Sequence, residues 1–452
     1  MKIKIFNKNR KSSDTSVSNN YSVKSIIPNY KNTGRGEIWI VICTLLTTFS
    51  TGCSLGFPSP IYHQLIKKRL LNKFNSSWFV SLFSVGAIFG VLIATSISKN
   101  FGRKKAVLFS IFLLVVSWLL ILSSDYISIH WAFLLLYTSR LMAGASAATC
   151  LLVLPMYINE SVRKNVRGLY CSSVAVGINM GIFFIYAIGN ILPWQLSSIL
   201  PMVTLIPAAI ILAKCTESPY WLVLQQKQDL ANNSIYWFRG FNHYDPEELK
   251  EITKYVEFTL KEASPSFVNK LKLLKNKKIL KIFLDCLFMH CANQFSMING
   301  IISYSGKILT KGGYDKTNFY PLFILGISQL VSTIISALLL DKFGRKIMIM
   351  ISTMFVIITL GAMGVYDQLL DIGVLDISKS YILLILASCY LFAFNSGLHS
   401  IPWCNKTFIE NTAYSRQNCC KKIFIEKSVT QPPFFYRFGS WGADTPGSKP
   451  ML

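Results

Sequence analysis

Three uncharged amide side chains lie close together in one apolar stretch of the second half of the chain. They are Asn293, Gln294 and Asn299, which span about two helical turns. An amide carries both hydrogen-bond donors and an acceptor, so such a group suits hydroxyl groups that must be bound and then released. Amides inside a membrane also join neighbouring helices. The residues alone support these two interpretations equally.

Charged residues in or beside apolar runs are the second set of residues whose chemistry could serve a function. Arg140 lies well inside an apolar run, and Glu160 and Arg167 lie where one run ends and the next begins. Ionisable groups inside a membrane are costly, so each one predicts a functional role. A carboxylate and a guanidinium at the membrane interface can join two helices by forked hydrogen bonds, which an alternating-access machine must break and re-form. The alternative is that Glu160 and Arg167 are solvated loop charges.

A short basic loop with one glycine occurs twice, at residues 99–105 and 341–346. Each copy follows one apolar run and precedes another. Glycine permits a tight turn, and the cations, which include Arg103 and Arg345, mark the cytoplasmic side of a membrane. The spacing predicts two homologous halves of several spans each, which is the organisation of a secondary transporter. Two unrelated positively charged loops are the alternative.

The composition is that of a protein embedded in lipid. Of the 452 residues 52% are hydrophobic and 15% are charged, and the mean hydropathy is +0.42. A soluble protein carries about 25% charged residues. Ten apolar runs of about 20 residues are long enough to cross a bilayer. They cover residues 38–57, 78–97, 106–123, 131–157, 168–189, 195–213, 280–303, 319–340, 347–366 and 381–403.

The net charge of +25 does not indicate nucleic-acid binding, because the cations fall between the apolar runs and not on one soluble face. With the amino terminus inside, the inner segments hold 29 Lys and Arg residues and the outer loops hold 8. That bias predicts a cytoplasmic amino terminus. Lys67, Lys68 and Arg69 fall on the outer side, against the bias. The eleven cysteines show no metal-binding pattern, and we expect no cofactor and no metal.

The apolar runs divide the chain into five segments. Residues 1–37 are expected to form a disordered cytoplasmic tail, and residues 38–213 a bundle of six helices. Residues 214–279 are expected to form a cytoplasmic loop with two short helices, and residues 280–403 an incomplete bundle of four helices. The last segment, residues 404–452, has no apolar run longer than three residues.

Several motifs together resemble the sugar porter branch of the major facilitator superfamily. In order, they are P-x-Y-x-x-E-x6-R-G at 155–168, E-S-P-Y-W-L at 217–222, N-Q-F-S-M-I-N at 293–299, D-K-F-G-R-K at 341–346 and I-P-W at 401–403. The general texture is similar to that of insect facilitative trehalose and glucose transporters. The resemblance covers about residues 38–403.

The resemblance implies an all-α polytopic membrane protein of the major facilitator fold, with about ten transmembrane helices present of an expected twelve. It implies facilitative transport of a sugar, a hexose or a trehalose-like disaccharide, by alternating access across the cell membrane. The expected partners are the sugar and the lipid bilayer, not nucleic acid, and a transporter of this kind is not an enzyme. The sequence does not indicate an oligomeric state.

The resemblance also assigns roles to individual residues. Those that it implies for substrate binding are Asn293, Gln294, Asn299, Gln329, Asn395 and Trp403. The residues expected to act in gating are Arg103, Arg140, Glu160, Arg167, Glu217, Asp341 and Arg345. Within that set, Asp341, Arg345 and Glu217 are expected to form the lock of the second half. Arg103, Glu160 and Arg167 are expected to form the lock of the first half.

Four positions depart from the family pattern. Lys99 stands where the first basic loop usually has Asp, and Ala175 stands where many members have a sugar-binding Gln. Met297 replaces a glycine, and Asn395 replaces an acidic residue that some relatives carry. No acidic residue lies in the first three spans, so proton coupling through a span-one carboxylate is not expected. Because residues 404–452 do not resemble the family, a non-transporting sugar sensor or an inactive truncated product is the alternative.

Overall fold

The computed structural model describes residues 36–68, 73–163, 166–240, 245–262, 276–315, 320–343, 345–373 and 380–399. Within these ranges every regular element is a helix, which confirms the all-α prediction. Trp403, the predicted segment 404–452 and nearly all of the predicted amino-terminal tail lie outside the described residues. The side chains of Asp341 and Arg345 also lie outside them.

The helices follow the apolar runs of the sequence. In the described ranges they are α1 (Gly36–Gly56), α2 (Pro58–Lys67), α3 (Lys73–Phe101), α4 (Arg103–Ser123), α5 (Ile129–Ser161), α6 (Arg167–Ile188), α7 (Trp194–Lys214), α8 (Pro219–Leu224), α9 (Gln228–Arg239), α10 (Pro246–Glu262), α11 (Lys277–Phe295), α12 (Ile298–Lys311), α13 (Tyr320–Phe343), α14 (Arg345–Asp371) and α15 (Ser380–Ala393). A π-helical turn, Phe394–Leu398, continues α15.

Eight helices in the described ranges are long and apolar enough to cross a membrane. They are α1, α3, α4, α5, α6, α7, α14, and α15 with its π-helical turn. α13 contributes a shorter apolar stretch, Tyr320–Ser336. Side chains on the outer surface, such as Ile88, Leu92 and Ile357, are apolar, which suits contact with lipid. In the described residues, helices therefore occupy part or all of each of the ten ranges predicted from the sequence, and the seventh range is interrupted.

The seventh predicted span is not one continuous helix. α11 ends at Phe295 and α12 begins at Ile298, and between them Met297 adopts left-handed backbone angles, with φ 62° and ψ 19°. A side chain in this region costs about 1–2 kcal/mol because Cβ approaches the following carbonyl oxygen. Irregular backbone at membrane depth is tolerated where it lines a cavity. The expectation of an unbroken helix over 280–303 was therefore wrong.

Glycine pairs bring the helices of the first half into close contact. On α3, a Cβ added to Gly90 would lie 2.6 Å from the Cα atom of Ala145 in α5. On α6, a Cβ added to Gly181 would lie 2.7 Å from the backbone nitrogen of Cys53 in α1. Only a residue without a side chain allows backbones to approach this closely. The glycine pairs are thus packing residues.

The two halves meet at the end of the bundle that carries α2, which we call the far end. The backbone N–H of Gly306 in α12 donates to Ser59 Oγ in α2 at 2.9 Å. The Tyr186 hydroxyl of α6 donates to the carbonyl oxygen of Ile302 at 2.6 Å. Both contacts involve α12, the second part of the broken helix. The break therefore lets the far-end half of this span pack on the first half of the molecule.

The far end also provides a partner for a cation that the sequence left unexplained. Lys68 Nζ lies 2.7 Å from Asp125 Oδ1 in the loop between α4 and α5. Gln195 Nε2 donates to the other carboxylate oxygen at 2.7 Å. These hydrogen bonds, that from Lys68 above all, hold the pKa of Asp125 below its ordinary value. The pair is partly exposed and stabilises the fold by about 0.2–1 kcal/mol.

The opposite end carries the three short helices α8 to α10, and we call it the cap end. Ser218 begins α8 by accepting a hydrogen bond from the backbone N–H of Trp221 at 3.3 Å, and proline follows at the first helical position. α8, α9 and α10 share a small apolar core that includes Leu222, Ile235 and Val256. The two short helices predicted within residues 214–279 are therefore present. Our division of the chain into five segments stays a prediction.

Candidate functional site

A cavity of about 460 Å³ lies between the two halves of the bundle. Residues of α1, α3, α5 and α6 line it on one side, and residues of α11, α12, α13 and the π-helical turn line it on the other. The first-half side is mostly apolar, whereas most of the second-half lining is amide or imidazole. Among the described lining residues there is no carboxylate, Lys or Arg. The cavity thus suits a neutral, polar ligand.

Four buried side chains at one side of the cavity bond to one another, and we call them the amide cluster. Asn179 Nδ2 donates to Thr333 Oγ1 at 2.5 Å and to Asn395 Oδ1 at 3.2 Å. Gln329 Nε2 donates to Asn179 Oδ1 at 2.7 Å. All four side chains are at most 2% exposed. Asn179 belongs to the first half and its three partners to the second, so the cluster bridges the halves.

The local sequence explains why Asn179 points across the cavity. Gly177 and Gly181 turn one face of α6 against α1. A residue two positions away is rotated by about 200° around a helix, so Asn179 faces away from α1 and toward the second half. Asn395 lies on the π-helical turn, and its Nδ2 donates to the carbonyl oxygen of Leu391 at 2.8 Å. Single π-helical turns often occur at functional sites.

The structure brings five of the six predicted substrate-binding residues together. Gln329 and Asn395 belong to the amide cluster, and Asn293, Gln294 and Asn299 line the same cavity. Asn299 Nδ2 donates to Gln294 Oε1 at 3.3 Å, and both side chains are exposed. Asn293 Nδ2 donates to the carbonyl oxygen of Leu398 at 2.9 Å, a bond between helices. Of the three span-seven amides, Gln294 and Asn299 are therefore available to a ligand and Asn293 joins two elements. The sixth residue, Trp403, lies outside the described residues.

Charged residues at the cap end form a network centred on the first basic loop, which we call the cap network. Arg103 Nε and Nη2 donate to the two carboxylate oxygens of Glu160, each at 2.9 Å. Ser218 Oγ also donates to Glu160. Arg103 Nη1 donates to the carbonyl oxygen of Ser98 at 2.9 Å. This forked, charge-assisted geometry is stronger than a neutral hydrogen bond, and it ties α4 to α5 and α8.

Glu217 completes the cap network at the start of α4. Its Oε1 accepts the backbone N–H groups of Arg103 at 2.8 Å and Lys104 at 3.0 Å. A carboxylate at a helix amino terminus is stabilised by the helix dipole. Burial nevertheless raises the pKa of Glu217, and these backbone hydrogen bonds only partly offset it. We expected Glu217 in the lock of the second half. Its carboxylate is held by the first basic loop, and a lock with Asp341 and Arg345 stays a prediction because their side chains lie outside the described residues.

The glycine of the first basic loop is required by this arrangement. Gly102 has φ +100°, a conformation that favours glycine. An added Cβ would lie 2.6 Å from the Glu217 Cδ atom. Lys99, which replaces the usual Asp of the loop, contributes its backbone, because its carbonyl oxygen accepts the Trp221 indole N–H at 3.0 Å. The first loop is thus closed by Glu217 and Glu160 despite that replacement.

Arg140 is buried between helices of the first half and makes no ion pair among the described residues. Its Nη1 donates to the carbonyl oxygen of Ser54 at 2.7 Å and its Nε to that of Phe79 at 3.2 Å. The guanidinium carbon also lies 5.1 and 4.9 Å from the ring centres of Phe79 and Phe83. Carbonyl oxygens and ring faces both stabilise a cation. Arg140 therefore joins α1, α3 and α5, and its gating role stays a prediction.

Arg167 is not part of the cap network as we expected. Its Nη2 donates to the carbonyl oxygen of Val162 at 3.4 Å, and its Nε is enclosed without a hydrogen-bond partner in the described part of the chain. No ion pair between Arg167 and Glu160 is present there, because Arg103 and Ser218 occupy that carboxylate. The predicted lock of the first half is therefore a pair, Arg103 and Glu160.

A second charged group at the cap end was missed. Glu37 belongs to α1 and is buried, not part of a tail. Its carboxylate pairs with Arg239 Nη1 at 2.7 Å and with Arg163 Nε at 3.0 Å. Arg239 Nη2 lies 2.6 Å from Glu248 Oε1. This group ties α1 to α9, α10 and the loop after α5, and its signal was an acidic residue directly before the first apolar run.

Two cavity residues, Asn179 and His399, and a partner of the first, Thr333, were also missed. Asn179 follows Ala175 by four positions on the same helix face, and it is an amide in an apolar run, which is the signal that identified span seven. Thr333 lies one turn beyond Gln329 in α13. His399 lies in the last apolar run, where an ionisable residue is itself a signal. In the described part of the chain, no group of three or more His, Cys, Asp or Glu could hold a metal ion.

Comparison with known proteins identifies relatives over most of the chain. Two relatives are named facilitated trehalose transporter Tret1. The Bombyx mori protein is 25% identical, with 79% of this chain and 68% of the relative covered, and the Culex quinquefasciatus protein is 28% identical, with 81% and 70% covered. The sugar transporter ERD6-like 6 of Arabidopsis thaliana is 28% identical, with 81% and 74% covered. Of the Aedes aegypti Tret1 protein the chain spans 45%.

Solved structures share the fold. The xylose transporter XylE of E. coli in a partially occluded, inward-open conformation matches with a TM-score of 0.65 at 16% identity, with 81% of this chain and 86% of that chain covered. XylE with bound 6-bromo-6-deoxy-D-glucose, described as a major facilitator superfamily protein, matches with a TM-score of 0.64. The fold is therefore that of the major facilitator superfamily. The family model for sugar (and other) transporters matches residues 7–412, and the chain belongs to that family.

Proposed function

We propose that this protein carries a sugar, a hexose or a trehalose-like disaccharide, across the membrane by facilitated diffusion. The observation that carries the proposal is the amide cluster, in which Asn179 of the first half bonds Gln329, Thr333 and Asn395 of the second half. A transporter of this fold binds its substrate between two halves that rock around the site. A cluster that joins the halves through neutral donors and acceptors fits a ligand that must release as easily as it binds.

The shape and charge of the cavity support a sugar over other ligand classes. Its volume of about 460 Å³ lies within the range of about 300–1,000 Å³ that is usual for small-molecule sites. A charged substrate would need an opposite charge to offset its desolvation, and no carboxylate, Lys or Arg lines the described cavity. Gln294 and Asn299 add exposed amides opposite the apolar first-half wall. Apolar walls with a few placed polar groups are typical of such sites.

The contacts between the halves support an inward-facing conformation. The halves touch at the far end through α12, α2 and α6 and at the amide cluster through α6 and α13. In contrast, α11, the cap-end part of the broken span, packs mainly on α12 among the described elements. Opening toward the other side would break the far-end contacts. We assign gating to Arg103, Glu160 and Glu217 at the first loop and, by the repeat in the sequence, to Asp341 and Arg345 at the second.

The orientation and location follow from the same reasoning. The excess of Lys and Arg falls on segments that include the cap end, so we assign the cap end and the amino terminus to the cytoplasm. The relatives' printed names describe a facilitated trehalose transporter and a sugar transporter. The eight membrane-length helices of the described ranges support a multi-pass protein, which we assign to the cell membrane. A transporter of this kind has no chemical step to catalyse, so we assign no enzyme activity and no cofactor.

Uptake by cells that lack their own sugar carriers tests the proposal. Cells expressing the full chain should take up radiolabelled D-glucose or trehalose with saturable kinetics, and excess unlabelled sugar should compete. Cells expressing Asn179→Leu at equal surface level provide the matched control and should lose saturable uptake. Sugar binding to the purified protein without uptake would contradict transport and would favour a sensor or an inactive product.

A further inference from the structure

Two enclosed polar atoms of residues that line the cavity have no hydrogen-bond partner in the described part of the chain. They are Gln329 Oε1 and His399 Nε2. Buried polar atoms are normally bonded, and each exception requires an explanation. Leaving such an atom unpaired costs about 1–3 kcal/mol. Two such atoms among the residues of one cavity point to a ligand that bonds them.

The amide cluster cannot supply the missing bonds, because its other groups are already engaged. Asn179 uses both its nitrogen and its oxygen, and the Thr333 hydroxyl donates to the carbonyl oxygen of Gln329 at 2.8 Å. Asn395 accepts from Asn179 and donates to Leu391. The unused capacity at this side of the cavity is therefore the carbonyl oxygen of the Gln329 side chain and the imidazole of His399.

The backbone fixes His399 at the end of the π-helical turn. The backbone N–H of His399 donates to the carbonyl oxygen of Phe394 at 3.0 Å, which is the i to i−5 bond of that turn. Its ring centre lies 5.8 Å from that of Phe394, and the next residue back, Leu398, is held by Asn293 and by the Ser352 hydroxyl. The imidazole is thus positioned by packing and backbone bonds while its own Nε2 bonds nothing described.

We propose that His399 is a sugar-contact residue, and that its Nε2 bonds a substrate hydroxyl group beside the Gln329 amide. This inference rests on the proposed function. A hydroxyl donates one hydrogen bond and accepts others, so it can serve the Gln329 oxygen, which only accepts, and an imidazole nitrogen of either tautomer. The two atoms belong to α13 and to the turn after α15, so a sugar bonded to both joins two second-half elements next to the residue that bridges the halves.

Binding of D-glucose and its single-deoxy analogues to the purified full chain tests this. If one hydroxyl bonds His399, removing that hydroxyl should weaken binding to the native protein by about 2- to 12-fold, the range for one neutral hydrogen bond. The His399→Leu protein should bind glucose that much more weakly and should no longer distinguish glucose from that analogue. His399→Asn, which keeps a donor and an acceptor, should restore part of the discrimination. His63→Leu, at a histidine outside this cavity, should keep the native pattern.

The outcomes separate the two claims. If the native chain binds glucose and the His399→Leu protein shows the same analogue pattern as the native protein, the role of His399 is overturned and sugar transport is left standing. Failure of the native chain to bind either D-glucose or trehalose would contradict the proposed function and the inference with it. Thermal unfolding of each variant shows whether it is folded, and His399→Ala replaces His399→Leu if that variant is not.

Discussion

The cap network and the amide cluster both join separate helices, but they do so with different chemistry. In the cap network, Arg103, Glu160 and Glu217 are charged and each has its hydrogen-bonding groups engaged by the protein. In the amide cluster every group is neutral, and Gln329 keeps an unpaired oxygen. The first arrangement is complete without a ligand, whereas the second is not.

The two kinds of contact suit different roles: the cap network stabilises the fold, and the amide cluster belongs to the proposed sugar site. Charge-assisted, forked hydrogen bonds are strong and geometrically strict, which suits parts that must hold a shape until a whole half moves. Neutral amides exchange partners at a lower energy, since a typical net hydrogen bond contributes about 0.5–1.5 kcal/mol. Substitutions at the cap end should therefore change stability and conformation, and substitutions in the cavity should change affinity.

The largest expected effect is at Arg103. Arg103→Ala leaves the partly buried Glu160 carboxylate without its forked partner. Breaking a fully buried ion pair costs about 3–5 kcal/mol, and the partial exposure of Glu160 makes this the upper limit here. Thermal unfolding of the purified protein in detergent should show a large fall in midpoint. Lys105→Ala, which removes an exposed cation from the same helix turn, is the matched control and should change little. Equal midpoints for the two variants would contradict the claim that the cap network stabilises the fold.

A cavity substitution should act on affinity instead. Gln294→Ala removes an exposed amide from the cavity wall, so a sugar hydroxyl loses its partner and affinity should fall about 2- to 12-fold, the range for one neutral hydrogen bond. Isothermal titration of the purified chain with sugar measures this. Gln368→Ala, at an exposed glutamine that does not line the cavity, should leave affinity unchanged. If affinity survives Gln294→Ala at normal folding, the amide only joins helices.

A substitution at the break in the seventh span should have a smaller effect, and it should raise the stability of the protein. Met297 has left-handed backbone angles, which cost about 1–2 kcal/mol for a residue with a side chain. Glycine avoids this strain, but its greater freedom in the unfolded chain offsets part of the gain in stability. Met297→Gly should therefore raise stability by about 0.5–1 kcal/mol, while Met297→Val should lower it. Thermal unfolding of the pair checks this, and a lower midpoint for Met297→Gly than for Met297→Val would exclude the explanation.

The smallest effect is the pH dependence of the far-end pair. Hydrogen bonds from Lys68 and Gln195 lower the pKa of Asp125, so the pair stabilises the protein above the ordinary Asp pKa, and that stability is lost as pH falls through the lowered value. Asp125→Asn should cost about 0.2–1 kcal/mol near pH 6. Unfolding midpoints of both proteins should converge as pH falls below 4. A constant difference at all pH values would mean that the charge is irrelevant.

Sequence patterns predicted the elements and five cavity residues because those signals are local. Apolar runs set the helices, and Gln294 or Asn395 stands out as an amide in an apolar helix. The break at Met297 was missed because a methionine there gives no turn signal where glycine would. Which carboxylate meets which cation depends on how distant helices pack, so the partners of Glu217, Glu37 and Arg167 could not be read from their positions in the chain.

One measurement tests the central claim that the amide cluster lines a sugar site and the cap network does not. Thermal unfolding of the purified full chain is recorded with and without D-glucose or trehalose. A sugar at ten times its dissociation constant should stabilise the native protein by about 1.4 kcal/mol. Glu160→Gln should start from a lower midpoint and keep this sugar-dependent rise, whereas Gln329→Leu should show a smaller rise at the same sugar concentration. A full sugar-dependent rise in Gln329→Leu, or none in the native protein, would contradict the account.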